Sequence, residues 1–506
     1  MSKPKEIALP AGKPVDIIFI VSPANADSIH MPYYFLYLVG YLERHGFSVE
    51  ILNPHRKAAE DNVAEILAGI VEKKPRFVGL AAFVTDFDAV VSLATEIRKI
   101  SSATIIVGNA HPSISPEDFL FESSPFDLVV RGEGEKTVKH LLEVYRKGAD
   151  NSGIPGIAYW DGGAAKITRN RELMDLSECG MPAYHKIDMS WYQRPTKYVI
   201  RRLATVGVGV YTGRGCPFNC SFCASNSVWQ ANDATLTVPR VRKRPLAHVM
   251  EELRILQDTY GFDFFYIMDD TFGILETDIS DFCRAYRDSG LKMLWATETR
   301  VNCIKNKEIL QLMKNSGCLQ LDFGVETGSP RLLKLINKAT TVEQTRFAFE
   351  LCRENGMRTF ANMLLNLPTE TEEDLALTEK LLAEIKPTYI SIGVTQPYPG
   401  TDIYKGLAKP ITKQDYAKLS RLFPEEEYRL SSHKLDLEKL LFSWFIKYGI
   451  VTVFERCLFK ADWKYWRKIF NSEHRLAYAY YLLRDVLLAP LHYLSYLKLY
   501  LAGRSR

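Results

Sequence analysis

Three cysteines lie close together in the chain, Cys216, Cys220 and Cys223, with the spacing CxxxCxxC. Three thiolates on one short loop can hold three irons of a 4Fe–4S cube, and the fourth iron is then left without a protein ligand, open to a substrate or cosubstrate. Three structural thiols, or a zinc site that lacks its fourth ligand, are the alternatives. Zinc sites favour paired CxxC motifs, and no second pair follows here, so the spacing favours the cluster.

The residues around these cysteines carry a resemblance to a known family. The run from Gly213 to Cys223, with the aromatic Phe222 before the last cysteine, resembles the cluster loop of the radical S-adenosylmethionine (SAM) superfamily. The resemblance implies that SAM binds the open iron through its amino and carboxylate groups. It also implies that SAM is cleaved to a 5′-deoxyadenosyl radical, which removes a hydrogen atom from an unactivated carbon.

Composition limits the class of protein. The chain has 506 residues, 47% of them hydrophobic and 25% charged, which predicts a globular protein of two or three domains. A formal net charge of only +4 argues against a dedicated nucleic-acid binder. The other six cysteines are scattered, which indicates a reducing compartment. No signal-peptide pattern or apolar run of about 18 residues occurs, so we expect a cytoplasmic protein.

Residues 1–145 alternate short apolar strands with helical segments, which predicts a doubly wound parallel sheet with ligands beyond the carboxyl ends of its strands. This part resembles the cobalamin-binding domain that precedes many radical SAM enzymes, chiefly through Gly108–Pro116 and Arg131–Glu135. The resemblance implies a cobalamin site with a set of loop residues: Thr85, Gly108, Asn109, His111, Gly132 and Glu133.

The DxHxxG pattern of domains that bind cobalt through histidine is absent, so no histidine ligand on cobalt is expected. For His111 the alternative is a histidine that only stabilises its loop. For the whole domain, the alternative is a fold that has lost the cofactor.

Residues 146–203 read as a connector, and residues 204–405 again alternate strands and helices in about six units, which predicts a partial βα barrel. Polar residues at carboxyl strand ends are where barrels place their chemistry, although such residues also cap helices. By resemblance, Glu326 contacts the SAM ribose, and Asp269 or Asp270 its methionine end. Arg300 would pair with the SAM carboxylate, and Phe222 would support the adenine.

Residues 406–506 lack strand patterns and predict a helical region. Residues 440–506 hold 16 aromatic residues, and eleven Lys or Arg against four Asp or Glu. This composition is typical of a segment at an anionic membrane surface, here the inner face, or of a greasy substrate pocket. The alternative is an ordinary helical lid over the barrel mouth.

Over residues 15–405 the chain resembles the cobalamin-dependent branch of the radical SAM superfamily. The implied function is methyl transfer to an unactivated carbon. The aromatic tail favours a large hydrophobic substrate, such as a lipid, an isoprenoid or a tetrapyrrole. An electron donor such as a ferredoxin or a flavodoxin is implied, and no nucleic acid. The alternatives are a radical SAM cyclase, oxidase or carbon–carbon bond-forming enzyme without methyl transfer, and a non-catalytic cofactor-binding or membrane-adaptor protein.

Overall fold

A computed structural model describes most of the chain, in two compact units, of which the first ends, with short exceptions, at Ile187. The described residues are 15–23, 31–55, 58–148, 153–197, 199–200, 203–230, 241–407, 409, 411–419, 424, 426–444, 447–448 and 463–484. Within them, no helix is both long enough and apolar enough to cross a bilayer.

The first unit is built on one seven-stranded sheet with the order β2-β1-β3-β4-β5-β6-β7. Its strands are β1 (Ile17–Ile20), β2 (Val49–Leu52), β3 (Phe77–Ala81), β4 (Thr104–Gly108), β5 (Leu128–Val130), β6 (Ile157–Trp160) and β7 (Ala165–Ile167). Its helices are α1 (Tyr33–Arg44), α2 (Ala59–Lys73), α3 (Phe87–Ile100), α4 (Ala110–Ile114) and α5 (Glu135–Arg146).

Strands β1 to β5 run parallel, which confirms the predicted doubly wound sheet. Strands β1 and β3 are fully buried because every residue in them faces a packed layer. Strand β1 lies between β2 and β3. From β1 the chain first adds β2 on one side, and then crosses back to add β3 and the later strands on the other side. This reversal opens a crevice at the carboxyl ends of β1 and β3.

The hairpin that the sequence predicts around an Asp-Gly turn is present as β6 and β7. It pairs antiparallel with β5 and so extends the first sheet. Part of the segment that reads as a connector is therefore an edge of this sheet.

The second unit contains a parallel six-stranded sheet with the order β15-β14-β13-β12-β11-β8, which confirms the six strand–helix units. Its strands, with a short β9–β10 pair, are β8 (Gly207–Val210), β9 (Gly213–Arg214), β10 (Arg242–Lys243), β11 (Phe264–Ile267), β12 (Leu294–Thr299), β13 (Cys318–Glu326), β14 (Arg358–Leu365) and β15 (Tyr389–Val394).

The second unit also contains twelve described helices, most of which follow these strands in the chain. They are α6 (Met189–Tyr192), α7 (Ser225–Gln230), α8 (Leu246–Asp258), α9 (Glu276–Asp288), α10 (Lys307–Asn315), α11 (Pro330–Leu335), α12 (Val342–Glu354), α13 (Glu372–Ile385), α14 (Asp402–Lys405), α15 (Tyr416–Leu419), α16 (Leu437–Trp444) and α17 (Trp463–Phe470). Residues 475–484 are also helical.

The described part of the C-terminal region is helical, as predicted, and it meets the barrel at two ends. At the carboxyl end of β14, the backbone N–H groups of Leu430 and Ser431 donate to Asn366 Oδ1 at 2.9 and 3.2 Å. Residues 463–484, which we call the basal segment, bind the amino ends instead. Tyr478 accepts there from the N–H of Val206 at 2.6 Å, immediately before β8.

The basal segment therefore does not form the lid over the barrel mouth that we considered from the sequence. Its anchoring contacts all precede strands rather than follow them, so it lies at the end opposite the cysteine loop. The second predicted helix of the tail, from Tyr478 to Tyr500, is helical up to Arg484, and its remainder lies outside the described residues.

Candidate functional site

The three cysteines lie on a loop at the carboxyl end of β8, where a βα barrel places its reactive groups. Cys220 is buried, Cys216 half-buried and Cys223 exposed. Backbone hydrogen bonds fix the loop between the cysteines: the N–H of Cys223 donates to the carbonyl of Cys220 at 3.0 Å. The N–H of Ser221 donates to the carbonyl of Ile336, also at 3.0 Å.

Two aspartates at the end of β11 hold the approach to this loop. Asp269 Oδ1 accepts from the backbone N–H groups of Thr212 and Gly213 at 2.6 and 3.0 Å. Asp270 Oδ2 accepts from the N–H of Gly215 at 2.9 Å. Helix α9 begins only at Glu276, so neither aspartate caps it. Both aspartates shape the cysteine loop, which the sequence did not predict.

Asp269 gives the cluster-free protein a pH dependence of its own. Burial raises the pKa of its carboxyl from 3.8 to about 6. A raised pKa means that the stability from protonated Asp269 is present below pH 3.8 and is lost as the pH rises toward 6. We expect Asp269→Asn to remove this loss. The difference in unfolding free energy, variant minus wild type, should therefore be about 3 kcal/mol larger above pH 6 than below pH 3.8.

Urea unfolding at a series of pH values measures this difference, with the exposed Asp258→Asn as the control. A difference between Asp269→Asn and wild type that does not change with pH would contradict the assignment.

Two polar side chains lie against the thiols. Thr271 Oγ1 is 3.3 Å from Cys216 Sγ, and Arg300 Nη1 is 3.6 Å from Cys220 Sγ. The Arg300 guanidinium also stacks on Phe218, with Cζ 3.7 Å from the ring centroid. Burial raises the pKa of the Cys216 thiol, and the hydrogen bond between this thiol and Thr271 offsets part of the shift. Hydrogen bonds and nearby positive charge stabilise thiolates, so both neighbours suit a cluster ligand.

The donor set fits a 4Fe–4S cluster. In a cube each cysteine binds a different iron, so the sulfurs need not converge on one point. Within the described chain, no group of three or more His, Cys, Asp or Glu side chains is placed to hold a single metal ion. Three thiols on one loop, with polar side chains in contact with two of them, are the ligands that such a cluster requires.

The residues assigned to SAM by resemblance meet around the same loop. Arg300 is 5% exposed, and its Nε and Nη2 atoms find no hydrogen-bond partner among the described residues. A buried guanidinium with unpaired donors is costly unless an anion completes it. The carboxylate of SAM has the charge and the planar geometry that this group can bind.

Glu326 ends β13 in the left-handed region, at φ 65°. It is buried and paired with Lys338, whose Nζ lies 2.5 Å from Oε1. The same Nζ is 5.7 Å from the centroid of the Phe222 ring, which packs on the apolar cluster of Leu332, Ile336 and Leu367. A Cβ on Gly324 would lie 2.6 Å from both charged groups, so a side chain at this position would have to displace the pair.

Breaking the pair at Lys338 should cost stability. Lys338→Met would leave the Glu326 carboxylate buried and unpaired, so we expect the unfolding free energy to fall by about 3–5 kcal/mol. Adding Glu326→Gln removes the buried charge and should recover most of the loss. Denaturant unfolding of the cluster-free protein measures both, with the exposed Lys334→Met as the control. Equal stability of the single and double variants would show that the pair is not coupled.

In the first unit, the predicted cobalamin residues lie on loops at the carboxyl ends of β3, β4 and β5. Ser113 ties two of these loops, because its Oγ accepts from the N–H of Gly132 at 2.9 Å and donates to the carbonyl of Asn109 at 2.6 Å. Asn109 is held at φ 85°, a strained conformation typical of functional loops. A Cβ atom at position 108 would lie only 3.2 Å from the carbonyl oxygen of Val130, so glycine allows this close approach of β4 and β5.

Two of the predicted residues are buried within these loops. His111 is 1% exposed, and its Nε2 lies 2.9 Å from Asp118 Oδ2. Glu133 Oε2 accepts from the N–H of Met174 at 2.8 Å. These contacts position the loops, in line with the structural alternative for His111. Thr85 is exposed at the end of β3.

The crevice beside β1 has features that sequence reasoning missed. Ser22 follows β1, is 3% exposed, and its Oγ has no hydrogen-bond partner among the described residues. After the same pair of strands, β1 and β3, Tyr34 in the first turn of α1 and Phe83 beyond β3 are more than a third exposed and stack edge to face at 6.3 Å. A buried unpaired hydroxyl beside exposed rings fits a large ligand with both polar and apolar faces, as cobalamin has.

Thr271, Lys338 and Ser22 were not predicted as site residues. Thr271 had one available signal, since it directly follows the two aspartates at a strand end. Lys338 and Ser22 had no such signal. Only the tertiary fold places Lys338 beside Glu326 and Ser22 at the crevice.

Comparisons with known proteins agree with this geometry. The radical SAM superfamily model matches residues 210–382, and the B12 binding domain model matches residues 22–142. An uncharacterized methyltransferase of Pyrococcus horikoshii is 31% identical over 69% of this chain and 72% of its own. The anaerobic magnesium-protoporphyrin IX monomethyl ester cyclase of Rubrivivax gelatinosus is 27% identical over 78% of this chain and 69% of its own.

Among solved structures, the radical SAM methyltransferase TsrM from Kitasatospora setae, with a SAM analogue bound, has the same fold. Its TM-score is 0.63 at 22% identity, over 76% of this chain and 75% of that protein. The ranges matched by the two family models contain the cysteine loop and the loops after β3, β4 and β5. The chain therefore belongs to the cobalamin-dependent radical SAM methyltransferase family, whose cofactors are a 4Fe–4S cluster, SAM and cobalamin.

Proposed function

We propose that this enzyme transfers a methyl group to an unactivated carbon of a large hydrophobic molecule. The observation that carries the proposal is the buried Arg300, whose unpaired donors lie beside Cys220. When bound, the cluster supplies the electron that cleaves SAM, and cobalamin supplies the methyl group.

The residues of the second unit have separable tasks in this proposal. Cys216, Cys220 and Cys223 bind the cluster, and Asp269 and Asp270 hold their loop rigid through backbone N–H groups. Arg300 binds the SAM carboxylate, which orients SAM on the cluster. Glu326 accepts from the ribose hydroxyls, and Phe222 supports the adenine ring.

The residues of the first unit bind cobalamin in the proposal. Gly108, Asn109 and Gly132 present backbone groups to cobalamin. His111 and Glu133 hold the loops in place through their hydrogen bonds to Asp118 and Met174. Thr85 supplies an exposed hydroxyl at the end of β3.

The substrate class is supported by what similar proteins are named for. The hopanoid C-3 methylase of Methylococcus capsulatus is 25% identical over 66% of this chain. The bacteriochlorophyllide d C-8(2)-methyltransferase of Chlorobaculum tepidum is 22% identical over 68%. A polycyclic isoprenoid and a tetrapyrrole are thus the two substrate classes to test first. The basal segment adds nothing to this choice, because it lies away from the barrel mouth.

A second candidate function is ring closure or oxidation without methyl transfer. It is favoured by the similarity to the Rubrivivax gelatinosus cyclase, which covers more of this chain than the methyltransferase relative does. The same cysteine loop and SAM contacts would serve either reaction.

Anaerobic reconstitution with iron, sulfide and cobalamin separates the candidates. The enzyme is given SAM labelled in its methyl group, a reductant and either a hopanoid or a tetrapyrrole substrate. Label in the product, together with 5′-deoxyadenosine, supports methylation. An unlabelled product that has lost hydrogen supports the cyclase or oxidase, and no 5′-deoxyadenosine with any substrate contradicts both. Replacing the chemical reductant by a ferredoxin or a flavodoxin tests the electron donor.

A further inference from the structure

The basal segment, residues 463–484, carries a surface that the reaction does not use. One side of the segment is fastened to the barrel. Tyr465 donates to the carbonyl of Ala204 at 3.1 Å, and Lys468 Nζ lies 3.3 Å from Asp263 Oδ1. His474 Nε2 lies 3.0 Å from the carbonyl of Gly261. Each partner precedes β8 or β11, so this attachment lies at the amino ends of the strands.

The other side of the segment is apolar and exposed. In α17 the exposed aromatic residues are Trp463 and Phe470, at 70% and 66%. In the helix of residues 475–484, Leu476, Tyr480 and Leu483 are 79%, 67% and 60% exposed, and their spacing places them on one face. Large side chains this exposed and this close in sequence mark an interaction surface.

The charge of the segment identifies the kind of partner. It contains five Lys or Arg and a single acidic residue, Glu473, which is a net charge of +4 with histidine neutral. The whole chain also carries +4, so the remaining residues sum to zero. Three of the arginines, Arg467, Arg475 and Arg484, are exposed among the apolar side chains. Exposed Trp and Tyr interleaved with cations are typical of helices that lie in the interface of an anionic bilayer.

We propose that the basal segment docks the enzyme on the surface of an anionic phospholipid bilayer. The apolar side chains enter the boundary between headgroups and acyl chains, and the arginines contact lipid phosphates. The contact is at the end of the barrel opposite the cysteine loop, so it anchors the enzyme without placing the barrel mouth in lipid. Docking does not depend on the proposed reaction and needs neither cluster nor SAM.

Vesicle sedimentation of the full chain tests the proposal. The probe is vesicles of phosphatidylcholine with about 30% phosphatidylglycerol, compared with phosphatidylcholine alone. We expect binding to the anionic vesicles, with a blue shift of tryptophan emission, and a steep loss of binding at high salt. No binding above that to neutral vesicles would overturn the proposal.

Two sets of variants separate docking from nonspecific adhesion. The triple variant Trp463→Ser, Leu476→Ser and Tyr480→Ser should lower the partition coefficient at least about tenfold. Its matched control replaces exposed apolar residues elsewhere on the second unit by serine, namely Leu335, Phe347 and Leu377. The charge variant, with Arg467, Arg475 and Arg484 changed to Gln, should lose about tenfold on anionic vesicles. Its control changes three exposed arginines of other helices to Gln, namely Arg254, Arg284 and Arg353.

Three outcomes would overturn the proposal. Controls that lose binding as much as the test variants would show general adhesion. A concentration-dependent dimer, measured by light scattering and lost in the apolar triple variant, would show that a second copy covers the surface. Unchanged binding in both test variants would assign it to another part of the chain. Because binding is measured without turnover, none of these results bears on the methyltransferase proposal.

Discussion

Cys220→Ala is expected to abolish both iron loading and SAM cleavage. Cys220 is the buried member of the trio, and without it two thiols remain for a cube that needs three protein ligands. After anaerobic reconstitution, iron and sulfide content should fall to background. The rate of 5′-deoxyadenosine formation should fall by more than about a hundredfold, because the reaction depends on the metal centre.

The matched control is Cys352→Ala, which removes a buried thiol from α12 in the same unit. It should retain the cluster and its activity, with only a modest loss of stability from the cavity. Iron loading that persists in Cys220→Ala would refute the cluster site, and with it the radical chemistry. Zinc bound by the trio in the wild-type protein would do the same.

Arg300→Met is expected to weaken SAM binding by at least about a hundredfold while iron content is kept. The two unpaired nitrogens of Arg300 can each make a charge-assisted hydrogen bond, and such bonds contribute about 1.5–3 kcal/mol. Arg300→Lys should restore only part of the affinity, since an ammonium group lacks the planar fork that matches a carboxylate. Equilibrium dialysis of the reconstituted protein with SAM measures the dissociation constant.

For Arg300 the control is Arg254→Met on the exposed side of α8, which should leave SAM affinity unchanged. Iron content decides how a loss is interpreted. Weak SAM binding with a full cluster supports contact with SAM, whereas loss of iron would mean that Arg300 acts through its contact with Cys220. Unchanged affinity for SAM would remove Arg300 from the SAM site.

Local patterns predicted the elements of the fold well. Apolar runs in strands such as β11 and β13, and helical periodicity after them, are encoded in short stretches of sequence and appear where expected. The helix start at Glu372–Asp374 is another local feature, with Thr371 and Asp374 forming a capping box. In both units the parallel arrangement followed from the alternation of strands and helices.

Contacts between distant residues were not predictable in the same way. One partner of Asp270 was not predicted from the sequence: its carboxylate accepts from the N–H of Gly215, 55 residues earlier. Lys338 pairs with Glu326 although nothing in the sequence between them marks the pair. Such partners depend on how strands lie side by side, which no local pattern records.

The tail shows the same division most clearly. Its aromatic and basic composition predicted contact with a membrane surface or an apolar substrate. Composition does not say at which end of the barrel that contact lies. Tyr478 and Tyr465 fix the answer, because their hydroxyl groups bond to backbone that precedes β8. Hydrogen bonds across more than 250 residues placed the segment away from the barrel mouth.

The sequence by itself determined the chemistry available to this protein: three thiols at a spacing that suits a cluster, and two domains of alternating strands and helices. It could do so because ligand spacing and periodicity are properties of neighbouring residues. Only the tertiary structure decided which charges are buried against those thiols, and which surface remains open. Burial and pairing arise when strands distant in sequence become adjacent, and that adjacency is set by the packing of the whole chain.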